Sequence, residues 1–425
     1  MPQIQACPAL LRIDTPIVRP PDPVISEVFI FACRNWYTRS DNSWCGMRVP
    51  YTLASVSHRW RAIALSTSQI WSFVDLSLRP ELLPNHLTRS KNVPINAKLV
   101  LGENSNADRV QESLRILSEK SAWSRLRFLD AMVGLERPIL SGQFIGAFNA
   151  AFEANPTSVF ETISMVILTE DVDAGPGDLH LHVPNSRVLR TISMFNVGLS
   201  PTPHLPSSPL PRLERLELDH ANIRLLDSLL PQLELTPNLV LLSLQECRLQ
   251  SRSNTTITSR PRHSVPLVNL RTLKLCDVKG LVELNTMFQV LNMPNLQYLI
   301  FSFHDTRLDW SAIRHCCTLQ YLYLKGFTSE HLTGLLPHMD ALGQLERLIL
   351  HPGYLTTAHD FVDQLARKLL ETPDCPRLKD LKIRFPLNSQ IMETIAELTR
   401  ARQSLTIYVE SDESDNEDIT GDNNQ

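Results

Sequence analysis

From Leu189 to Ile383 the apolar residues of this chain recur as a hexad, Leu-x-x-Leu-x-Leu, with polar or mixed residues between them. The copies begin at Leu189, Leu213, Leu239, Leu270, Leu296, Leu319, Leu345 and Leu378, and a Pro-Asn-Leu, Pro-Arg-Leu or similar step leads into most of them. The fourth and sixth positions alternate with the period of a half-buried strand, so each copy predicts one strand with those two side chains inward. Successive first leucines lie from 23 residues apart (Leu296 to Leu319) to 33 residues apart (Leu345 to Leu378). A unit of that length cannot bury its apolar face alone, so neighbours must stack into a solenoid, with parallel strands on a concave wall and helices on the convex side. Helical patterning between the hexads falls at about 223–233, 281–291, 329–339, 357–370 and 388–402.

The spacing lies in or just above the window of leucine-rich repeats. Upstream, helical stretches at 108–119 and 141–153 are each followed by a strand-like run, at 123–131 and 160–168. They read as divergent first repeats that cap the stack, since terminal repeats are atypical. Nearer the start, Pro21-Asp22-Pro23 opens an apolar set, Val24, Ile25, Val28, Phe29 and Cys33, at helical spacing. A second helix is expected over about 52–65, with Leu53, Val56, Trp60, Ile63 and Ala64 on one side and His58, Arg59 and Arg61 on the other. The domain reading is a flexible lead-in over 1–15, a short helical unit over 16–76, a linker and cap region over 77–120, the solenoid over 121–409 and an acidic tail over 410–425. That tail, with Asp412, Glu413, Asp415, Glu417 and Asp418, offers no apolar area to bury and is expected to be disordered. The fold class is therefore α/β.

Hydrophobic residues make up 43% of the chain and the net charge is −4, so no overall field draws it to nucleic acid or to an anionic membrane. The first residues lack a basic segment followed by an apolar core, and no apolar run approaches the roughly 18 residues of a membrane span, which points to the cytoplasm, the nucleus or both. Eight scattered cysteines suit free thiols in a reducing compartment. Phosphate-binding glycine loops, His-Glu-x-x-His and Gly-x-Ser-x-Gly are missing from the sequence. The adjacent Cys316 and Cys317, beside His315, lack paired ligand spacing. No catalytic residue, cofactor or metal is expected, and the chain reads as a binding protein rather than an enzyme.

If the fourth and sixth hexad positions point inward, the third, fifth and seventh face solvent on the concave side. In the later repeats these positions bring Tyr298, Ile300, Tyr321, Tyr323 and Ile349 onto neighbouring strands, flanked by Lys325, Arg347, Lys382 and Arg384. Aromatic anchors beside arginine are typical of interface hot spots, and the cations favour an acidic or phosphorylated segment of a target protein. Cross-strand tyrosine pairs that merely stabilise the sheet are the competing explanation.

The N-terminal block carries a resemblance. Pro21 to Phe29, then Leu53-Ala54-Ser55-Val56-Ser57-His58-Arg59-Trp60-Arg61-Ala62-Ile63-Ala64, then Ser66-Thr67-Ser68-Gln69-Ile70-Trp71, resembles an F-box, and the stretch from Leu76 to Leu101 looks like the region that follows it in F-box proteins of mushroom-forming fungi. The sequence has Pro20-Pro21 where that pattern opens with Leu-Pro, and a longer loop at 34–50. The resemblance implies an F-box followed by an irregular leucine-rich repeat solenoid. It further implies that Pro21, Val24, Ile25, Val28, Leu53, Val56 and Trp60 bind a Skp-type adaptor and, through it, a cullin. The function so implied is substrate recognition for a cullin-RING ubiquitin ligase. The alternative is an interaction scaffold with a degenerate F-box, outside ubiquitination.

Overall fold

In a computed structural model of the chain, the described residues are 20–38, 46–77, 80–101, 107–120, 122–134, 138–154, 159–168, 180–182, 186–200, 210–250, 264–303, 308–328, 334–352, 355–372 and 374–410. The expected lead-in, most of the polar connections at 201–211 and 251–266, the first half of the helix expected at 329–339, and the acidic tail after Glu410 lie outside them.

Three helices make the first unit: α1 (Asp22–Thr38), α2 (Val49–Val56) and α3 (His58–Ser66). Because α1 runs to Thr38, part of the loop expected at 34–50 is helical. The single helix expected over 52–65 is broken at Ser57, whose backbone is extended at φ −158° and ψ 166°. Its hydroxyl accepts a hydrogen bond from the Trp60 amide at 3.1 Å. A serine that offers its own acceptor to the next turn competes with helix continuation, so the side-chain pattern alone could not reveal the break. Ile25, Phe29 and Cys33 of α1 pack on Ile63 and Ala64 of α3 and on Ile70 and Trp71 just beyond it. Arg59 closes the entry to α1, donating to the Asp22 carboxylate from Nε at 2.8 Å and to the Pro20 carbonyl at 2.7 Å.

Beyond this unit lies, among the described residues, a sheet of thirteen parallel strands in chain order. The strands are β1 (Phe73–Asp75), β2 (Ile95–Leu101), β3 (Leu126–Gly134), β4 (Thr162–Leu168), β5 (Thr191–Phe195), β6 (Arg215–Asp219), β7 (Leu241–Gln245), β8 (Thr272–Cys276), β9 (Tyr298–Ser302), β10 (Tyr321–Phe327), β11 (Arg347–Pro352), β12 (Asp380–Ile383) and β13 (Thr406–Val409). All eight hexads become strands. Leu216, Leu242, Leu273, Leu299, Leu322 and Leu348 stand opposite one another in register, and so do Leu218, Leu244, Leu275, Phe301, Leu324 and Leu350. Both ladders are buried within one core that runs from Val74 to Leu405. Each fully buried leucine of such a ladder contributes about 1.5–3 kcal/mol relative to exposure.

Several helices return the chain behind the sheet: α4 (Leu83–Arg89), α5 (Ala107–Glu119), α6 (Pro138–Ala154), α7 (Leu230–Glu234), α8 (Leu281–Val290), α9 (Leu355–Glu371) and α10 (Ser389–Ala401). The helix expected at 223–233 begins at Leu225, as a π-helical turn over Leu225–Leu229 that runs into α7, because 222–224 is extended and pairs in parallel with 248–250. The sheet begins at Phe73, inside the segment read as the helical unit, and β2 lies in the segment read as a linker.

Two backbone devices repeat along the stack. Immediately after the strand, Asn196, His220, Glu246 and Asp277 occupy the left-handed region, and Gly326, at the register shift inside β10, does the same, with φ between 50° and 71°. The first three amides there donate to the carbonyls of Asp219, Gln245 and Cys276 on the next strand. At Gly326 a Cβ would meet the Phe303 carbonyl oxygen at 2.8 Å, so glycine is also required by space. The second device explains the lead-in step. Asn238 donates to the Pro211 carbonyl at 2.6 Å, Asn269 to that of Pro237 at 3.0 Å, Asn295 to that of Val268 at 2.7 Å and Thr318 to that of Pro294 at 2.9 Å. At these four steps one side chain ties each turn to the one before it. Cys247 plays a related part, as its buried thiol reaches the Leu218 carbonyl at 3.3 Å; burial pushes that thiol up to about 12.

Candidate protein-docking surfaces

Helix α1 is apolar on two faces. Ile25, Phe29 and Cys33, four residues apart, are buried, whereas Val24, Val28 and Phe31, at i, i+4 and i+7, are exposed. A surface helix ordinarily puts polar residues on its outer face, so Val28 at 57% and Phe31 at 65% exposure mark an uncovered apolar stripe. Val56, at the end of α2, is exposed as well. Of the residues expected to contact an adaptor, Pro21 is exposed, and its carbonyl accepts from the amides of Val24 and Ile25 at the start of α1. Leu53 and Trp60 are half-buried against the small core, with the Trp60 ring 4.9 Å from that of Phe29. Ile25 departs from the expectation: at 6% exposure it belongs to the core, because a helix cannot present adjacent residues 24 and 25 to the same side. Phe31 was not in the expected set, although its spacing of seven from Val24 was available to find it.

The second surface is the open face of the sheet. On β5 to β8 the inward positions are buried and the alternate ones half-exposed or exposed. Across β9 to β13 two rows of side chains stand in register, Tyr298–Tyr321–Arg347–Asp380–Thr406 and Ile300–Tyr323–Ile349–Lys382–Tyr408. The structure therefore brings together Tyr298, Ile300, Tyr321, Tyr323, Lys325, Arg347, Ile349, Lys382 and Arg384. They are not equally accessible. Tyr298 is 44% exposed and stacks at 5.8 Å on Tyr321. Tyr323 is 7% exposed and Ile349 6%, which corrects their reading as contact residues. Strands spaced about 4.8 Å apart leave a ring between two branched neighbours little room for solvent, and Tyr323 lies between Ile300 and Ile349.

The cations also have partners. Arg347 pairs with Asp380 at 3.2 Å, Arg384 with Glu410 at 3.2 Å, and the Lys382 ammonium lies 5.7 Å from the Tyr408 ring centroid. Tyr408 extends the aromatic row but belongs to a strand without the hexad: Leu405-Thr406-Ile407-Tyr408-Val409 is one residue short of it. In the middle of the sheet the charge reverses. His220 is held between Asp219 at 2.6 Å and Glu246 at 2.8 Å, its ring 4.7 Å from Phe195, and Asp277 accepts from Ser302 at 2.8 Å.

Among the described residues no group of three or more histidines, cysteines and carboxylates is arranged to hold a metal ion, and no helix is long and apolar enough to cross a membrane. Cys33, Cys247, Cys276, Cys316, Cys317 and Cys375 are free thiols; Cys316 is buried and its neighbour Cys317 exposed.

Fold and surfaces together define an α/β repeat solenoid with a small helical unit at one end. No family model matches the chain, and no curated protein matches it. Among solved structures it is similar to a crystal structure of a Bacteroides fragilis protein, a structural genomics target, with 12% identity over 77% of each chain and a TM-score of 0.34. At that level the likeness carries no argument about what the chain does.

Proposed function

We propose that the chain is the substrate-recognition subunit of a cullin-RING ubiquitin ligase, with the helical unit as an F-box that binds a Skp-type adaptor and the open sheet face as the site for the target protein. The observation that carries this reading is the uncovered stripe on α1, Val24, Val28 and Phe31, backed by a separate small core of seven buried residues. A helical unit this small is at the lower limit of independent stability, and one that leaves an apolar face in water is suited to a partner that covers it. Leucine ladders that hold β6 to β11 in register within the long parallel sheet support the second half, since a rigid wall can hold a target at a fixed orientation to a ligase. The chain itself performs no acyl transfer. It acts by proximity, turning a bimolecular encounter into a local one. The compartment that goes with this reading is the cytoplasm, the nucleus or both.

Tyr298 and Tyr321, with Lys325 and Lys382, are the residues we assign to the target, and the cations favour an acidic or phosphorylated segment.

The experiment is co-purification of the full chain with a Skp-type adaptor, with Val28→Asp as the control. Stoichiometric capture that is lost in V28D supports the ligase reading. A folded chain that captures no adaptor leaves the alternative, a leucine-rich repeat scaffold with a degenerate F-box that acts outside ubiquitination.

A further inference from the structure

The open face has a second apolar stretch, at the end of the sheet away from Tyr298. Towards the ends of β2 to β5, Val100, Met132, Val166 and Phe195 stand opposite one another in register. Met132 is 41% exposed and the other three are half-buried, whereas the residues just before them, Leu99, Ala131, Met165 and Met194, point into the core. The next row towards the start of these strands is polar: Lys98, Asp130, Ser164 and Ser193. The apolar strip is therefore one side chain wide, broadened on β4 by the exposed Leu168, and three strand spacings make it about 14 Å long.

The same row continues on β6 to β8 as Asp219, Gln245 and Cys276, and the left-handed turns beyond these strands add His220, Glu246 and Asp277. The Phe195 ring, 4.7 Å from that of His220, joins the two stretches. One imidazole serves both Asp219 and Glu246, so even with both of its nitrogens protonated the pair keeps one negative charge. Asp277, which accepts from the Ser302 hydroxyl, adds another. A carboxylate has about four acceptor positions, so each of the three retains room for a donor from outside the chain. The amides of Asn196, His220 and Glu246 fix these turns on carbonyls of the next strand, which holds the acidic side chains in place before any partner arrives. Beyond Cys276 the sign changes, with Lys274 and Lys325 acting on its thiol, so the negative charge centres on Asp219 and Glu246.

We infer that this row docks an extended segment of a partner protein that is apolar in one half and carries lysine or arginine in the other. A helix, about 10 Å across with its side chains, would press apolar residues onto the polar row as well, whereas an extended chain matches a strip one side chain wide. Lying across the strands from β2 to β8, the segment covers about 29 Å, the span of about nine extended residues. Its apolar side chains cover Met132, Val166 and Phe195, and its cations donate charge-assisted hydrogen bonds to Asp219 and Glu246. The two ends of the open face thus select segments of opposite charge. The inference goes beyond the function proposed above; its test needs neither adaptor nor target, so either idea can fail while the other stands.

The probe is a labelled synthetic peptide, Leu-Ser-Leu-Ser-Leu-Ser-Arg-Ser-Arg, in which every second side chain can face the sheet, titrated with the full chain by fluorescence anisotropy at low salt. A second peptide with glutamate in place of arginine should bind at least about tenfold less tightly, because it brings like charges together. Met132→Asp should weaken the arginine peptide by about tenfold or more, as loss of one apolar contact does. D219N combined with E246Q should remove most of the preference for arginine over glutamate, and both variants are checked for the circular dichroism of the parent. V28D and Y298A, which alter the other two surfaces, should bind the arginine peptide as the parent does. Equal affinity of the parent for the two peptides, no binding by the parent, or parent-like binding by Met132→Asp overturns the inference. Loss of binding in V28D or Y298A also overturns it, since the peptide would then sit on α1 or on the tyrosine row.

Discussion

The rings of Trp71 and His86 meet edge to face, 5.1 Å between centroids, and this contact joins the helical unit to the solenoid. Tyr51 completes the cluster at 5.1 Å from Trp71 and 5.4 Å from His86, and the Arg89 guanidinium lies 4.4 Å over Trp71. The imidazole is fully buried and neither nitrogen has a hydrogen-bond partner. Burial holds His86 down at about 4; the Trp71 backbone works against it, the charge of Arg89 adds to the lowering, and the Met47 backbone opposes it least.

The sign of the resulting pH dependence follows from linkage. The folded His86 titrates near 4 and the unfolded one near 6.5, so between those values the unfolded state binds more protons and stability rises with pH. At most about 3 kcal/mol is at stake, from about 1.4 kcal/mol per unit. Denaturant unfolding followed by tryptophan fluorescence should show the first transition move to higher denaturant from pH 4.5 to 7. In H86F, which keeps the ring and removes the titration, that movement should shrink; an unchanged slope would assign the dependence to other groups.

The two faces of α1 should respond oppositely to mutation. Phe29→Ala opens a cavity in the small core and should cost about 3–5 kcal/mol. Val28→Asp, one residue away but exposed, should change stability by no more than about 0.5 kcal/mol. Thermal denaturation of the two variants compares them directly, and it also certifies V28D as a folded control for adaptor binding.

A similar contrast divides the tyrosine row. Tyr323→Ala removes a buried ring whose hydroxyl lies 3.4 Å from the His351 Nδ1, and should destabilise by about 3 kcal/mol or more, as large-to-small core changes do. Tyr298→Ala should lose only the stacking on Tyr321, about 0.5–1.5 kcal/mol. Loss of target capture in Y298A would therefore report on docking, whereas the same loss in Y323A would report on folding.

The asparagine of the lead-in step can be tested by itself. Asn269 donates both to the Pro237 carbonyl and to Asn238 Oδ1 at 3.0 Å, so Asn269→Ala should cost about 1–2 kcal/mol, near 1 kcal/mol for each bond lost. Asn269→Asp, which cannot donate, should cost about as much at neutral pH. Equal melting of the parent and both variants would show that the ladder follows from the stack rather than holding it.

The hexads were legible because a period of two and a repeat near 26 residues both result from local geometry: alternate side chains of any strand face opposite ways, and every repeat has the same core to fill. Strand β13 escaped because its repeat is one residue short, and α2 and α3 merged because a capping serine leaves no mark on hydrophobic spacing. The inward direction of Leu216, Leu242 and Leu273 was thus determined by the sequence itself, as were the helical spacing of the apolar residues in α1 and the acidic run after Val409. Only the tertiary structure decided which apolar residues remain in water. Val24 and Ile25 are chemically alike, yet one is packed against α3 and the other is bare; Tyr298 and Tyr323 differ only in what stands beside them. Exposure depends on neighbours brought from distant repeats, and a sequence records that only through the register in which the strands stack.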